Sequence, residues 1–145
     1  MAIISTRSRY GLRLLVDLAE AGSSGPVDLH SIAERQGIPE KYLAKLVLTL
    51  RAAGFVRSVR GAGGGYLLAR RAENIDLLSV VEVLEGQSSL LECTSRPEAC
   101  PRSGACGSRD LWAGLERAIA DYLGSRSIAS VARVDSSSSA PEYYI

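Results

Sequence analysis

Histidine occurs once in these 145 residues, at His30, so the choice of a general base at neutral pH is thin. No Ser/His/Asp set, no Cys/His pair at workable spacing and no paired carboxylates are visible. An enzyme, or any protein with a small-molecule substrate, is therefore not expected. Long hydrophobic runs are missing as well, because charges interrupt every apolar segment before it reaches bilayer length. The opening Met1-Ala2-Ile3-Ile4-Ser5-Thr6-Arg7 has neither a secretory hydrophobic region nor a small-residue cleavage site, so a cytoplasmic location with no membrane partner is expected. Cysteine is scarce, and all three copies fall between positions 93 and 106. An odd count in a chain read as intracellular argues against a disulfide framework and turns attention to metal or redox chemistry.

What remains is an ordinary globular composition, 46% hydrophobic and 23% charged, sufficient for one compact domain or a small domain with an oligomerisation arm. Net charge is +1, but its distribution is lopsided. Residues 1–71 carry eleven Lys and Arg against five acids, a net +6, whereas residues 72–145 carry six Arg against eleven acids, a net −5. The basic half suits a polyanion and the acidic half another task. Two solvated surfaces of opposite sign are the plainer alternative.

Residues 6–21 read as an amphipathic helix, with Tyr10, Leu14, Leu15 and Leu18 on one stripe and Arg13, Asp17 and Glu20 off it. Gly22 to Pro26 stops it. A short helix from Asp28 or Leu29 to Gln36 is closed by Gly37, suited to a left-handed cap, and Pro39 opens the next helix, residues 39–53. Two helices joined by Gly37-Ile38-Pro39 make a helix-turn-helix whose second member is the recognition helix. Strand patterns at 55–60 and 66–69 flank Gly61-Ala62-Gly63-Gly64-Gly65 and form a hairpin wing. Asn74 or Asp76 caps a helix reaching Leu84. Residues 86–107 are a loop rich in Ser, Pro, Gly and Cys; residues 108–123 form a further helix, and 127–134 add a turn or two. From Asp135 the serine run reads as a disordered tail.

The glycine run invites a nucleotide-binding reading but fails it. Tyr66 stands where a last Gly would be required, no Lys-Ser/Thr follows, and the run lies between two strands. Basic residues instead fall where a winged helix meets duplex DNA. Lys41 and Lys45 lie one turn apart beside Tyr42, suited to the major groove and its phosphates. Arg60 borders the wing tip formed with Gly61 and Gly63, a place for a guanidinium to enter a narrow minor groove, and Arg7 and Arg9 open the first helix. Six residues separate Cys93 from Cys100 and five separate Cys100 from Cys106, wider than a zinc knuckle. An iron–sulfur cluster, zinc, a thiol switch and inert cysteines all remain open on spacing. Leu111, Trp112, Leu115, Ile119 and Tyr122 exceed what one small winged helix must cover, which points to a homodimer and hence a palindromic operator.

Gly37-Ile38-Pro39-Glu40-Lys41-Tyr42-Leu43, the stretch from Ser58 to Leu68 and the three-cysteine loop before Leu111-Trp112 together resemble the IscR/NsrR type of the Rrf2 superfamily. These are bacterial winged-helix regulators of iron–sulfur biogenesis, nitric oxide and redox responses. The resemblance covers residues 1–134 and implies a mainly α fold: a winged helix-turn-helix with a small β-hairpin wing and a long dimerisation helix that crosses to the partner. The chain then divides into a DNA-binding domain (1–85), a cysteine loop (86–107), a dimerisation region (108–134) and a tail (135–145). It also implies a dimeric regulator, expected to repress, with a 2Fe-2S or 4Fe-4S cluster on Cys93, Cys100 and Cys106. The family's fourth ligand has no counterpart: the position three residues after the third cysteine is Arg109, and the position near the start of the first helix is Arg9. Glu92, Glu98, Asp110 or a group from the partner chain are the remaining candidates, and His30 is read as a surface residue.

Overall fold

The computed structural model describes residues 4–86 and 89–137. Seven α-helices and one hairpin follow one another as α1 (Thr6–Ala21), α2 (Leu29–Gln36), α3 (Glu40–Ala52), β1 (Val56–Val59), β2 (Gly65–Leu68), α4 (Leu77–Glu85), α5 (Glu92–Ser95), α6 (Gly107–Gly124) and α7 (Ile128–Ser137). The mainly α, winged architecture read from the sequence is the one observed.

Among the described residues, four helices start on a side chain that satisfies an orphan backbone donor; at α7 the Ser130 N–H donates to Ser127 Oγ at 3.3 Å. The Arg7 N–H donates to Ser5 Oγ at α1, the Ser31 N–H to Asp28 Oδ1 at α2, and the Ser79 N–H to Asp76 Oδ1 at α4. At α2 and α4 the serine hydroxyl also donates to the capping aspartate, at 2.6 and 2.7 Å, closing a small ring. Pro39 differs from its expected place: it is the N-cap of α3, with ψ 128°, and the helix begins at Glu40. The strands form an antiparallel pair in the register Val56–Leu68, Arg57–Leu67, Ser58–Tyr66 and Val59–Gly65.

Leu14, Leu15 and Leu18 of α1 pack with Ile32, Leu43, Val47, Leu50, Val56, Ile75, Val80 and Leu84 in one core. Asp17, expected off the apolar stripe and therefore wet, is only 4% exposed. It survives burial because Arg35 donates to both its carboxylate oxygens, at 3.1 and 2.6 Å, and Gln36 Nε2 adds a third bond at 2.9 Å. The chain after α6 also enters this core. Ile128 is fully buried, its N–H donates to the Ile75 carbonyl at 2.9 Å, and the Leu77 N–H donates to the Arg126 carbonyl at 3.0 Å. Helix α7 lies against α1, so the segment read with the dimerisation region also closes the core of the first 85 residues. Burying Ile128 is worth about 1.5–3 kcal/mol. Helix α7 continues to Ser137, three residues into the stretch expected to be a disordered tail, because Ser and Asp carry only modest helix penalties; residues 138–145 lie outside the described ones.

Candidate nucleic-acid interface and cysteine segment

The turn between α2 and α3 is built by Gly37, whose φ of 60° lies in the left-handed region. Its N–H donates to the Ala33 and Glu34 carbonyls, so α2 ends abruptly and α3 departs at once. Leu43, Leu46, Val47 and Leu50 of α3 are buried, which turns Lys41 and Lys45 to solvent on the opposite face. Tyr42 lies between these faces, half-buried, with its ring edge-on to Tyr10 at 5.7 Å. It therefore anchors α3 to α1 besides flanking the two lysines. His30 is exposed, as expected, yet not idle: Nδ1 lies 3.1 Å from Glu40 and Nε2 3.3 Å from Glu34. The Glu40 hydrogen bond, then the charge of Glu34, raises the imidazole pKa, which makes this bond across the turn strongest in mild acid.

The wing leaves the core at Val59 and returns at Gly65, with Arg60, Gly61 and Gly63 exposed at its tip. Gly61 and Gly63 both have positive φ, and the Gly64 N–H closes the tip on the Gly61 carbonyl at 3.0 Å. At the base of the wing, Val27 and Tyr66 exchange two backbone bonds of 3.0 and 2.8 Å. A Cβ on Gly65 would come within 2.4 Å of the Val27 carbonyl oxygen, so only glycine permits this approach. Arg7 and Arg9 are both exposed at the start of α1, where Arg9 donates to Thr6 Oγ1 at 3.1 Å. Lys41, Lys45 and Tyr42 thus share α3, Arg60 with the two glycines forms a separate protrusion, and the two N-terminal arginines stand apart on α1.

The cysteine segment is more ordered than a loop. Cys93 lies in α5, Cys100 caps the 3₁₀ turn Pro97–Ala99, and Cys106 is the N-cap of α6. All three are free thiols of intermediate exposure. The Ser108 hydroxyl, 3.1 Å from Cys106 Sγ, and the Arg109 backbone N–H hold that thiol below its ordinary pKa. The Arg109 side chain donates from Nε to the Cys93 carbonyl at 3.1 Å, tying the first cysteine to α6. Glu116, one helical segment further on, receives the Leu90 N–H at 2.5 Å and the Thr94 hydroxyl at 2.7 Å. Neither anchor was evident in the sequence, because each partner lies 16 to 26 residues away. Among the described residues no three His, Cys, Asp or Glu side chains are gathered in a metal-holding arrangement.

Helix α6 buries none of its residues. Leu111 is 65% exposed, Trp112 39%, Leu115 41% and Tyr122 59%, an apolar row left open among the described residues apart from the Arg126 guanidinium over the Tyr122 ring. No helix among the described residues is long and apolar enough to cross a membrane.

The Rrf2 family model, described as an iron-dependent transcriptional regulator, matches residues 4–134. The chain is 43% identical over 130 residues to protein rrf2 of Nitratidesulfovibrio vulgaris, covering 90% of this chain and 87% of that one. Its fold superposes on the structure of CymR, the global cysteine regulator of B. subtilis, with a TM-score of 0.79 at 36% identity, covering 92% of this chain and 98% of that one. It superposes on T. potens IscR with a TM-score of 0.78 at 35% identity, covering 98% and 95%. A helix-turn-helix with a cationic outer face, a glycine-tipped wing and a match along nearly the whole chain lead to one assignment: the chain belongs to the Rrf2 family of DNA-binding transcriptional regulators.

Proposed function

We propose that this regulator works as a homodimer on a palindromic operator, normally as a repressor, and that the cysteine segment is its sensor. The observation that carries the reading is positional. Three thiols in residues 93–106 lie on the segment that leads from α4 of the winged domain into α6. Whatever binds or oxidises them acts on the joint between the DNA-reading half and the apolar helix that a second subunit would cover.

An iron–sulfur cluster is the sensing group we favour. The donor set fits in kind: Cys93, Cys100 and Cys106 are partly accessible, soft thiols, and Cys106 sits at a helix N-terminus where thiolate is favoured. Such a cluster would supply one-electron redox chemistry and lability to oxidants and nitric oxide. Arg109, at the position where a fourth ligand was sought, is engaged with the Cys93 carbonyl, and Glu92, Glu98, Asp110 or a group from the partner chain remain the candidates for that role. A second reading, a thiol switch without a cluster, draws on the lowered Cys106 pKa and on the three side chains not being gathered as ligands.

Protein purified and reconstituted without oxygen separates the two. The cluster reading expects visible absorption, with iron and sulfide bound in proportion to dimer. A colourless, iron-free protein whose operator binding responds to a mild thiol oxidant would replace it with the second reading.

A further inference from the structure

The outward face of α3 has an unusual vocabulary for reading bases. Direct contacts in the major groove come from Asn or Gln to adenine, Arg or Lys to guanine, Glu or Asp to cytosine, and apolar groups to the thymine methyl. Helix α3, Glu40 to Ala52, contains no Asn, Gln or Ser. Of its two hydroxyls, Thr49 turns back to the Lys45 carbonyl at 3.4 Å and Tyr42 stands on a half-buried ring packed edge-on against Tyr10, while its one acid, Glu40, is held by His30 at 3.1 Å. What remains exposed on the helix besides Glu40 is Lys41, Ala44, Lys45, Leu48, Arg51 and Ala52, with Arg51 toward the side of the helix and the rest opposite the buried stripe.

Leu48 stands out in that set. It is 59% exposed on a helix that already buries Leu43, Leu46, Val47 and Leu50, so the core is complete without it. Leu48 lies one turn beyond Lys45 and two beyond Lys41. A seven-residue step brings a helical side chain back to within about 20° of its starting direction. The leucine is therefore aligned with both cations, on the face whose charge suits duplex DNA. The run Leu46-Val47-Leu48 gave the sequence-level sign, since three consecutive apolar residues cannot all face one side of a helix.

We infer that Leu48 is a specificity-determining residue, packing against the C5-methyl of a thymine in each operator half-site while Lys41 and Lys45 hold the helix in the groove. This rests on the reading that α3 enters the major groove. Replacing thymine by deoxyuridine removes only that methyl and leaves every hydrogen-bonding group in place, so it isolates the contact.

The test takes an operator enriched by the full-length protein from a random duplex pool. Each thymine is replaced in turn by deoxyuridine, and binding is measured for the parent, Leu48→Ala and Leu48→Met. At one symmetric position the parent should lose about fourfold, the worth of one buried methyl-sized group. Leu48→Met should keep that loss. Leu48→Ala should bind both operators equally, with unchanged affinity for random-sequence duplex. Discrimination that persists in Leu48→Ala, or a parent indifferent to every replacement, overturns the inference while DNA binding stands. Failure to enrich any operator overturns the groove reading beneath it as well.

Discussion

At the scale of single residues, the wing shows how much local chemistry a sequence can carry. Five residues that are nearly all glycine between two β-patterned stretches leave few alternatives, and Gly65 shows why the demand is steric. Gly65→Ala would place a carbon 2.4 Å from the Val27 oxygen and force apart the paired bonds between Val27 and Tyr66. We expect a loss of about 1–3 kcal/mol, seen as a lower Tm in calorimetry. Arg60, exposed beside the tip, touches nothing in the core, so Arg60→Ala should leave Tm unchanged. It should weaken operator binding by about 1–3 kcal/mol and relax preference at the base step the wing enters. Unchanged binding would remove Arg60 from the interface. Asp17 marks the opposite case: its charge suggested solvent, and only the long-range approach of Arg35 and Gln36 makes its burial affordable.

At the scale of elements, helices whose first turn contains its own cap were legible to within a residue or two. Asp76 is one, and it carries a pH signature. Partial burial pushes its carboxyl pKa up, but hydrogen bonds from the Ser79 N–H and hydroxyl outweigh this, and the net shift is downward. A carboxyl with a depressed folded pKa contributes stability above its unfolded value and loses it as pH falls through the folded one. The cap of α4 should therefore hold at neutral pH and weaken below about pH 4. Asp76→Ala should cost about 1 kcal/mol at pH 7 in urea unfolding, and the gap from the parent should close in acid. A pH-independent gap would mean that the carboxylate charge contributes nothing. Segment 86–107 resisted this kind of reading. Among its described residues, short turns of its own are tied down by Glu116 and Arg109, on a helix that follows in the chain, and no periodicity within the segment records those partners.

At the scale of the whole molecule, α6 is tied along its first ten residues to the cysteine segment, through Arg109 and Glu116, and its end leads through Arg126 to Ile128, which sits in the core of the winged body beside Ile75. Between Arg109 and Glu116, Leu111, Trp112 and Leu115 stay exposed. If a second copy covers them, Trp112→Glu should yield a folded monomer by light scattering, with Tm little changed and operator binding largely lost. A dimer that survives the substitution would place the interface elsewhere. In the proposed dimer these ties would make α6 a lever. A change at the cysteines would reach it through Cys106, its N-cap, and through the Arg109 bond to the Cys93 carbonyl. The end fixed by Ile128 would turn a tilt of the helix into a rotation of one winged body against the other. Moving a two-state equilibrium usefully requires a few kcal/mol of preference for one state, which is what occupancy of the cysteine segment would have to supply. The decisive comparison is Cys100→Ala beside the parent, both purified anaerobically and assayed on one operator. Cys100 lies at the end of the Pro97–Ala99 turn, in a segment separate in sequence from α3 and the wing, so the variant should keep the oligomeric state and the non-specific DNA affinity of the parent. It should also be poor in bound iron and differ at least several-fold from the parent in operator affinity. Equal affinities for an iron-loaded parent and the iron-poor variant would show that the sensor segment and the DNA-reading half are uncoupled.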